Sequence, residues 1–499
     1  MAIKVGGTEV ISDSRALNNI SSVDAATVTA LSDAGVGAGA TLEATASGTL
    51  ANGDTVIVNA DGTVSVVEET RTGPLSVGST VQFNSGTSTN PQAAFDSNSN
   101  KVVLLYGTNY RKAIVGTVSN TSISFGTAVT LDFNSSNPYL AIAFDSNTNK
   151  VVCFYNGSSG YGYASVGTVS GTSISFGSPV VFYSGNLTSD LSAEFDGSSN
   201  NVLVSYQDSG NRRKQIAGTV SGTSISFGSA SSHSSDTYVG FECFAYDSNA
   251  NKTVLFYRNS SNAKSRVLTV TGTTISYGSP TTISTQNSSV GSAVFDSNSN
   301  KLVIGYGYGS SGYVKVGTVS GTSISFGSEV QVPGSGSAGG LAFDSSANKV
   351  VVINSDSNDT FNGKAVVGTV SGTSISFGTA VTFDTGILSY VTQSVVYDSN
   401  AQKIVTSYSD TNGESTVLDA ASLETSLTTE NYIGISDGDY SDAATATVQL
   451  VGSVDDAQSG LTAGQKYYVQ TDGTLATTPD NPEVYAGLAV SSTNLIVKG

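Results

Sequence analysis

The sequence Gly171-Thr-Ser-Ile-Ser-Phe-Gly177 is the strongest indication of the fold, because it recurs throughout the middle of the chain. The string TSISFG, or a close variant, begins at six positions: Thr121, Thr172, Thr223, Thr273, Thr322 and Thr373. A second string, Phe or Tyr followed by Asp, occurs seven times: Phe95-Asp96, Phe144-Asp145, Phe195-Asp196, Tyr246-Asp247, Phe295-Asp296, Phe343-Asp344 and Tyr397-Asp398. A spacing of about 50 residues between copies indicates a repeat architecture.

Each repeat contains four predicted strands. In the second repeat they are AIAFD, KVVCFY, YASVGTVS and SISFGSPVVF, which are rich in the β-branched and aromatic residues that favour strands. Gly171 suits a tight hairpin because glycine accepts positive φ, and the DSNSNK segments suit another because Asp and Asn bond to turn backbone. Four strands in a unit of this length are typical of a propeller blade. We therefore predict an all-β chain with a seven-bladed β-propeller over residues 73–420.

The unequal copy numbers of the two strings indicate how the ring closes. The last repeat ends near Asp419 after three strands and lacks its outer strand. The early run Val77-Gly-Ser-Thr-Val-Gln-Phe83 matches Phe176-Gly-Ser-Pro-Val-Val-Phe182. We predict that this early strand lies beside Glu414–Asp419, completes the last four-stranded blade and closes the ring. Closure would remove exposed sheet edges, which otherwise promote aggregation.

A fainter duplication flanks the repeats. Leu50-Ala-Asn-Gly53 and the Asp-Gly-Thr at 61–63 match Leu461-Thr-Ala-Gly464 and the Asp-Gly-Thr at 472–474 with equal spacing. Tyr485-Ala-Gly-Leu follows the second copy, whereas its counterpart Tyr432-Ile-Gly-Ile comes only after the repeats. These matches predict a small β-domain of residues 36–70 and 425–499, into which the propeller is inserted. Residues 1–35 are predicted to form an N-terminal attachment arm with a short helix from Ser21 to Gly35.

Charge and composition limit the partners. The formal net charge is −18, and most of the acidic excess lies in residues 1–72 and 421–499. Such a chain repels phosphate backbones, so nucleic acid is not an expected partner. No stretch approaches the roughly 18 apolar residues of a membrane span, so neither a leader nor membrane insertion is expected. Cys153 and Cys243 fall in strands two repeats apart and are predicted to be buried free thiols.

The loops of one propeller face differ between repeats, while the turns of the other face barely change. The differing loops join the second strand to the third, or one blade to the next, and include GTNYRK at 107–112 and DSGNRRK at 208–214. Loops rich in Tyr, Asn, Ser and Arg suit polar ligands such as glycans. The candidate ligand-binding residues are Tyr110, Arg111, Tyr161, Tyr163, Arg212, Arg213, Tyr308 and Tyr313. Unconstrained divergence of these loops is the alternative.

Nothing in the sequence predicts a catalytic residue, a cofactor or a metal site. Asp96-Ser-Asn-Ser-Asn100 resembles the start of a calcium loop, but Lys101 stands where such loops have glycine, so a hairpin turn is the favoured interpretation over calcium. His233 lies in a polar loop, and a solvated side chain is predicted. The chain is predicted not to be an enzyme. A glycan-cleaving site assembled from scattered carboxylates stays an alternative.

Two terminal segments resemble a known class of proteins. MAIKVGGTEVISDSRALNNISSVDAATV at 1–28 and GLTAGQKYYVQTDGTLATTPDNPEVYAGLAVSSTNLIVKG at 460–499 resemble segments of tail-fibre-like structural proteins of tailed bacteriophages, notably phages of marine bacteria. The resemblance implies a virion component, assembled in the host cytoplasm, that binds other virion proteins through its N-terminal arm and forms a homotrimer.

The expected function is therefore a tail-fibre-like or capsid-decorating virion protein that presents the propeller to a host surface or glycan. The alternatives are a glycan-degrading depolymerase and a purely architectural virion protein.

Overall fold

The structure is a computed structural model. It describes residues 3–5, 8–11, 40–86, 88–133, 137–233, 239–260, 262–334, 336, 338–356, 359–385, 394–409 and 411–498, with the backbone alone at 3–5, 8–11, 239–241 and 338. These residues are all-β and contain no helix, so none of them forms a helix that could span a membrane. The helix predicted from Ser21 to Gly35 lies outside the described residues. Contacts divide the chain into a repeat unit, Thr72–Ser422, and a flanking unit, Met1–Arg71 with Leu423–Gly499.

The strands up to the first repeat are short. In the flanking unit they are β1 (Ile3–Val5), β2 (Thr8–Ile11), β3 (Thr41–Thr45), β4 (Thr55–Val58), β5 (Val64–Val66) and β6 (Glu69–Arg71). The repeat unit opens with β7 (Ser76–Val77) and β8 (Val81–Asn84). β1 and β2 form an antiparallel hairpin within the segment predicted to be the attachment arm.

The repeats form successive antiparallel sheets, numbered here in chain order. Sheet 1 contains β9 (Thr89–Asp96), β10 (Lys101–Gly107), β11 (Tyr110–Ser119), β12 (Ser122–Phe125) and β13 (Val129–Phe133). Sheet 2 contains β14 (Leu140–Asp145), β15 (Lys150–Asn156), β16 (Gly162–Ser170), β17 (Ser173–Phe176) and β18 (Val180–Tyr183). Sheet 3 contains β19 (Ser192–Asp196), β20 (Asn201–Gln207), β21 (Arg213–Ser221) and β22 (Ser224–Phe227). Sheet 4 contains β23 (Val239–Asp247), β24 (Lys252–Asn259), β25 (Asn262–Thr271), β26 (Thr274–Tyr277) and β27 (Thr281–Ser284).

The remaining repeats continue the pattern. Sheet 5 contains β28 (Ser289–Asp296), β29 (Lys301–Tyr308), β30 (Ser311–Ser320), β31 (Ser323–Phe326) and β32 (Val330–Gln331). Sheet 6 contains β33 (Ala338–Asp344), β34 (Lys349–Asp356), β35 (Asn362–Ser371), β36 (Ser374–Phe377) and β37 (Val381–Asp384). Sheet 7 contains β38 (Ser394–Asp398), β39 (Lys403–Ser409) and β40 (Gly413–Asp419), together with β7 and β8.

The two turns of each repeat follow from their residues. Asp145 Oδ1 accepts hydrogen bonds from the backbone N–H groups of Asn147 (2.9 Å) and Thr148 (3.1 Å), which closes the turn between the first and second strands. Gly171 has φ +60° in the turn between the third and fourth strands. The predicted fourth strand is split: in sheet 2, β17 and β18 both pair with β16, on either side of a break at 177–179.

The early strand pairs with the last repeat, as the sequence predicts. β40 pairs with β7, placing Leu418 opposite Val77, and with β8, placing Glu414 opposite Gln82. The two ends of the repeat unit also meet, because the backbone N–H of Gly73 donates to the carbonyl oxygen of Ser422 at 3.0 Å. Sheet 7 is thus built from both ends of the unit.

Neighbouring sheets pack on one another through apolar clusters. The first strand of each sheet contacts the first strand of the next, and β38 of sheet 7 contacts β9 of sheet 1. At that last junction the N–H of Ala93 donates to Ser394 Oγ at 2.8 Å. Phe83 and Val417 of sheet 7 share a buried cluster with Leu104 of sheet 1. Burial of this kind is the main stabilising contribution in a sheet assembly without disulfides.

The glycine that ends the TSISFG string sets the approach of neighbouring sheets in the first five copies, though not in the sixth, which ends at Gly378. A Cβ atom on Gly177 would lie 1.9 Å from the carbonyl oxygen of Thr223 in the next sheet. Gly78 of sheet 7 stands in the same relation to Thr121 of sheet 1, at 1.7 Å. Only glycine allows the backbones to come this close.

The flanking unit contains two five-stranded sheets with the same strand order. Its later strands are β41 (Leu423–Thr425), β42 (Tyr432–Ser436), β43 (Thr445–Gln449), β44 (Val454–Asp455), β45 (Lys466–Val469), β46 (Leu475–Ala476), β47 (Val484–Ala489) and β48 (Leu495–Val497). The orders are β3-β43-β42-β4-β5 and β44-β48-β47-β45-β46, so β42 pairs with β4 as β47 pairs with β45. β6 and β41, which adjoin the repeats in sequence, pair with each other.

Candidate functional site

A polar pocket opens in sheet 2 at the loop end, defined as the end that carries the loops joining second to third strands and one sheet to the next. Its volume is about 440 Å³, and its lining is Asn137, Tyr139, Asn156, Ser158, Ser159, Gly160, Asn186 and Leu187. These residues come from the end of β15 and from the loops before β14, after β15 and after β18. The pocket is therefore formed by three loops whose sequences differ from those of the other repeats.

Hydrogen bonds fix the walls of the pocket. Asn156 Oδ1 accepts from the N–H of Tyr139 and from an Arg111 Nη, both at 3.0 Å, and Asn156 Nδ2 donates to the carbonyl oxygen of Asn137 at 3.0 Å. The N–H of Leu187 donates to the carbonyl oxygen of Gly160 at 3.0 Å. A wall held in this way loses little conformational entropy when a ligand binds.

Arg111 and Arg213, both predicted to bind ligand on the variable loops, do not lie at the surface. Both side chains are buried, at 0% and 3% exposure. Arg111 donates to Asn156, and Arg213 donates to the carbonyl oxygen of Asp190 at 2.7 Å and to Ser189 Oγ at 3.1 Å. Arg111 faces the loop between sheets 1 and 2, and Arg213 faces the loop between sheets 2 and 3. The oxygens of both loops need buried donors. Burial lowers the pKa of Arg111 to about 10, with Asp132 opposing, so its guanidinium is charged at neutral pH.

The exposed large apolar side chains of the repeat unit, within its described residues, all belong to sheets 1 and 2. They are Tyr110 (42% exposed), Phe133 (56%), Tyr161 (38%) and Val181 (43%). Tyr110 and Phe133 form an edge-to-face pair with ring centres 5.1 Å apart, called here the aromatic platform. Tyr161 lies in the loop that lines the pocket, and its carbonyl oxygen accepts from the N–H of Gly157 at 3.0 Å.

The other predicted ligand residues are dispersed. Tyr163 is half-buried, stacks 5.9 Å from Tyr155 and bonds through its hydroxyl to Ser159 Oγ at 3.1 Å. Arg212 is exposed in the loop that precedes β21 of sheet 3. Tyr308 and Tyr313 of sheet 5 stack on each other with centres 4.2 Å apart, and the Tyr308 hydroxyl donates to Glu329 at 2.8 Å. The eight residues therefore do not form one site, and their roles in recognition stay predictions.

A buried polar cluster between sheets 3 and 4 was missed by sequence reasoning. Glu242 Oε2 accepts from Gln215 Nε2 at 2.9 Å and from Ser205 Oγ. His233 Nε2 lies 3.6 Å from Glu242 Oε1, and both side chains are fully buried. Burial raises the pKa of Glu242, while Arg213 and these hydrogen bonds oppose the shift. His233 is thus a packed residue and not the solvated one that its polar neighbours predict.

Comparison of the repeats would have revealed this cluster. His233 follows Phe227 by the same interval at which Phe182 follows Phe176, so it occupies a position of the apolar core. Glu194 likewise stands where sheet 2 has Ala143. In this cluster polar side chains replace apolar ones inside a core, and their burial prevents contact with molecules in the solvent.

The turn carboxylates are already bonded within their own turns. Asp96 Oδ1 accepts from the N–H groups of Asn98 (2.9 Å) and Ser99 (3.0 Å), and the corresponding Asp of five other repeats makes the same two bonds. Asp196 accepts instead from the N–H of Ser199 and the hydroxyl of Ser198. Within the described residues, no group of three His, Cys, Asp or Glu could hold a metal ion. Cys153 and Cys243 are free, and burial raises the pKa of both thiols.

Solved structures resemble the chain in fold. The BP39L lectin from Burkholderia pseudomallei superimposes with a TM-score of 0.51 at 12% identity, covering 68% of this chain and 98% of the lectin. This likeness establishes the fold alone. The fold is a β-propeller.

Two further structures match with lower scores. The Cps50 (Swd1) β-propeller domain of Myceliophteria thermophila gives a TM-score of 0.45 at 8% identity, covering 69% of this chain and 99% of that one. A protein from Lactobacillus plantarum gives 0.47 at 13% identity, covering 60% and 86%. Sequence comparison finds no matching family model and no matching curated protein.

Proposed function

We propose that this chain is a glycan-binding propeller protein without catalytic activity, and that its ligand binds at the loop end of sheets 1 and 2. One observation carries the proposal: these sheets hold the exposed Tyr110, Phe133 and Tyr161 beside a polar pocket, although the seven sheets share one strand plan. Among the described residues this feature is confined to part of a repetitive scaffold, so it is not needed for folding and is available for recognition.

The chemistry of the pocket suits a sugar. Amide and hydroxyl groups such as those of Asn186 and Ser159 can donate to and accept from sugar hydroxyls. Tyrosine adds an apolar ring with a polar tip, and Tyr139 is half-buried in the pocket wall. That the BP39L protein is a lectin adds support, because a propeller with the same general fold serves that class of ligand.

Binding is favoured over hydrolysis by the state of Asp132, one of the carboxylates near the pocket. Glycoside hydrolysis ordinarily needs a pair of carboxyl groups facing the scissile bond. Asp132, which borders the pocket, accepts from the N–H groups of Phe133 (2.8 Å) and Ser158 (3.0 Å). Its oxygens therefore hold the loops in place, and we assign it a positioning role.

The architecture in this proposal is a closed ring of seven blades. Three features support it: the contact of β38 with β9, the cluster that joins Phe83 to Leu104, and the close approach of Gly78 to Thr121. The propeller would be carried by a phage virion as a tail-fibre-like or capsid-decorating protein, through the arm at residues 1–35 and as a homotrimer. The resemblance of the terminal segments supports this placement, and antibody labelling of intact particles tests it.

An array of bacterial surface polysaccharides and their fragments tests the binding function. The full chain is expected to bind a subset of glycans without cleaving them. Asn186→Ala, which truncates an exposed side chain of the pocket, should lower binding about 5- to 30-fold, since a lost hydrogen bond costs about 1–2 kcal/mol. Gln331→Ala, which removes an exposed amide from sheet 5, is the matched control. Equal binding by all three chains, or turnover of the bound glycan, would contradict the proposal.

A further inference from the structure

We propose that the binding site continues from the pocket onto the aromatic platform, so that the protein recognises neighbouring sugar residues of an oligosaccharide chain and not a single sugar. This inference rests on the proposed glycan binding. One sugar occupies the pocket of sheet 2, and the next one along the chain stacks on Tyr110 and Phe133 of sheet 1.

The aromatic platform is held in a fixed position. Tyr110 and Phe133 are direct cross-strand partners in β11 and β13. The N–H of Tyr110 donates to Thr108 Oγ1 at 3.0 Å, and the N–H of Phe133 donates to Asp132 Oδ1 at 2.8 Å. The two rings are therefore positioned before any ligand arrives, which reduces the entropy lost on binding.

The chemistry of the platform differs from that of the pocket. Phe133 has no polar group, yet it is 56% exposed and lies against Tyr110, which is 42% exposed. Exposed paired rings lose unfavourable apolar surface when the C–H face of a sugar covers them. The Lys112 ammonium lies 5.7 Å from the centre of the Tyr110 ring and supplies a donor for sugar oxygens at the rim.

Asp132 joins the two subsites. Its Oδ1 atom accepts from Phe133 of the platform, and its Oδ2 atom accepts from the N–H of Ser158, which lines the pocket. A Cβ atom on Gly157 would lie 2.6 Å from the same Oδ2 atom, so the pocket loop approaches the platform closely. Pocket and platform are therefore adjacent parts of one surface, and a short glycan chain can contact both.

The test compares ligand lengths. Each polysaccharide that binds the full chain on the array is supplied as monosaccharide, disaccharide and tetrasaccharide fragments, and affinities are measured by calorimetry. Phe133→Ala and Tyr110→Ala are each expected to weaken tetrasaccharide binding about 3- to 10-fold, the amount typical of one aromatic contact, while leaving monosaccharide binding unchanged. Asn186→Ala should weaken all fragments. Leu423→Ala, which removes an apolar side chain that is also 56% exposed but lies in the flanking unit, should change nothing.

The outcomes separate this inference from the function on which it rests. Binding that does not increase with fragment length, or platform variants that bind the tetrasaccharide like the unmodified chain, would overturn the extended site and leave glycan binding intact. Failure of every glycan to bind the full chain would overturn both. Because Tyr110 and Phe133 are exposed, their truncation should leave the melting temperature within a few degrees.

Discussion

Glu194 places a carboxyl group at a position that is apolar in every other repeat. The other six sheets have apolar side chains at this position: Ala94, Ala143, Ala245, Val294, Ala342 and Val396. Glu194 is half-buried, and burial raises its pKa to about 8. The folded state therefore binds the Glu194 proton more tightly than the unfolded chain does. Stability contributed by this group is present at low pH and is lost as the pH rises from about 4.5 to 8.

Replacing Glu194 with alanine is expected to stabilise the protein at alkaline pH. At pH 8.5 Glu194→Ala should raise the free energy of unfolding by about 1–3 kcal/mol, a value reduced from the full linkage because water still reaches part of the side chain. At pH 5, where the acid is protonated in the folded state, the gain should be smaller. Urea denaturation at several pH values measures the difference, with Glu430→Ala as an exposed control. An equal effect at both pH values would show that the carboxyl is not desolvated.

His233 and Arg111 show why local composition misplaces some side chains. A polar neighbourhood predicted solvent for His233, yet its register relative to Phe227 places it in the core, and register decides which face of a strand a side chain takes. Arg111 and Arg213 stand where sheets 2, 5, 6 and 7 have Gly162, Gly312, Gly363 and Gly413. A departure from the repeat therefore marked an unusual environment. The sequence does not show whether that environment lies at the surface or in the interior, because this depends on where the neighbouring loops fold.

The strands and turns were largely predictable because each sequence signal occurs six or seven times. The positive φ of Gly171 and the bonding of Asp145 to its turn follow from residue chemistry alone. The break in the fourth strand at 177–179 was not predicted, because the sequence does not show that both pieces bond to β16. The glycine at that break allows the neighbouring sheet to approach closely, and this role is visible only from the distance between the two sheets.

Gly177→Ala tests that role directly. The added methyl group would meet the Thr223 carbonyl oxygen at 1.9 Å, so sheets 2 and 3 must move apart. Overpacking of this kind costs about 1–3 kcal/mol. Gly378 ends the sixth copy of the same string, but the nearest atom to its added methyl is the Val367 carbonyl oxygen at 3.9 Å. Gly378→Ala is therefore the matched control and should stay within about 0.5 kcal/mol of the unmodified chain. Thermal unfolding of both variants measures the difference in stability. Equal losses of stability would show that the spacing of the sheets is not set by these glycines.

Sheet 7 differs from the other sheets because its strands come from both ends of the repeat unit. No atom in the described residues of the next sheet lies within 4 Å of a Cβ added to Gly378. That next sheet takes its outer strand from the start of the unit, where Gly73 stands at the position of Thr373. Gly78 in that strand does meet Thr121 of sheet 1. The junction between sheets 7 and 1 is thus formed by a strand more than three hundred residues from its partner β40, and such contacts form late and slowly.

Phe83 and Phe182 allow that junction to be compared with an ordinary one. Both occupy the same position in the repeat and are buried to the same extent, at 8% and 7% exposure. Phe83 packs edge-on against Tyr106 of sheet 1 at 5.1 Å, as Phe182 packs against Tyr206 of sheet 3 at 5.4 Å. If the ring is closed, Phe83→Ala and Phe182→Ala should each destabilise the protein by about 3–5 kcal/mol, the cost of a large cavity. Hydrogen exchange should then show Phe83→Ala loosening β9 and β40 first. If β8 were only loosely attached, Phe83→Ala would cost far less than Phe182→Ala, and a closed seven-bladed ring would be the wrong architecture.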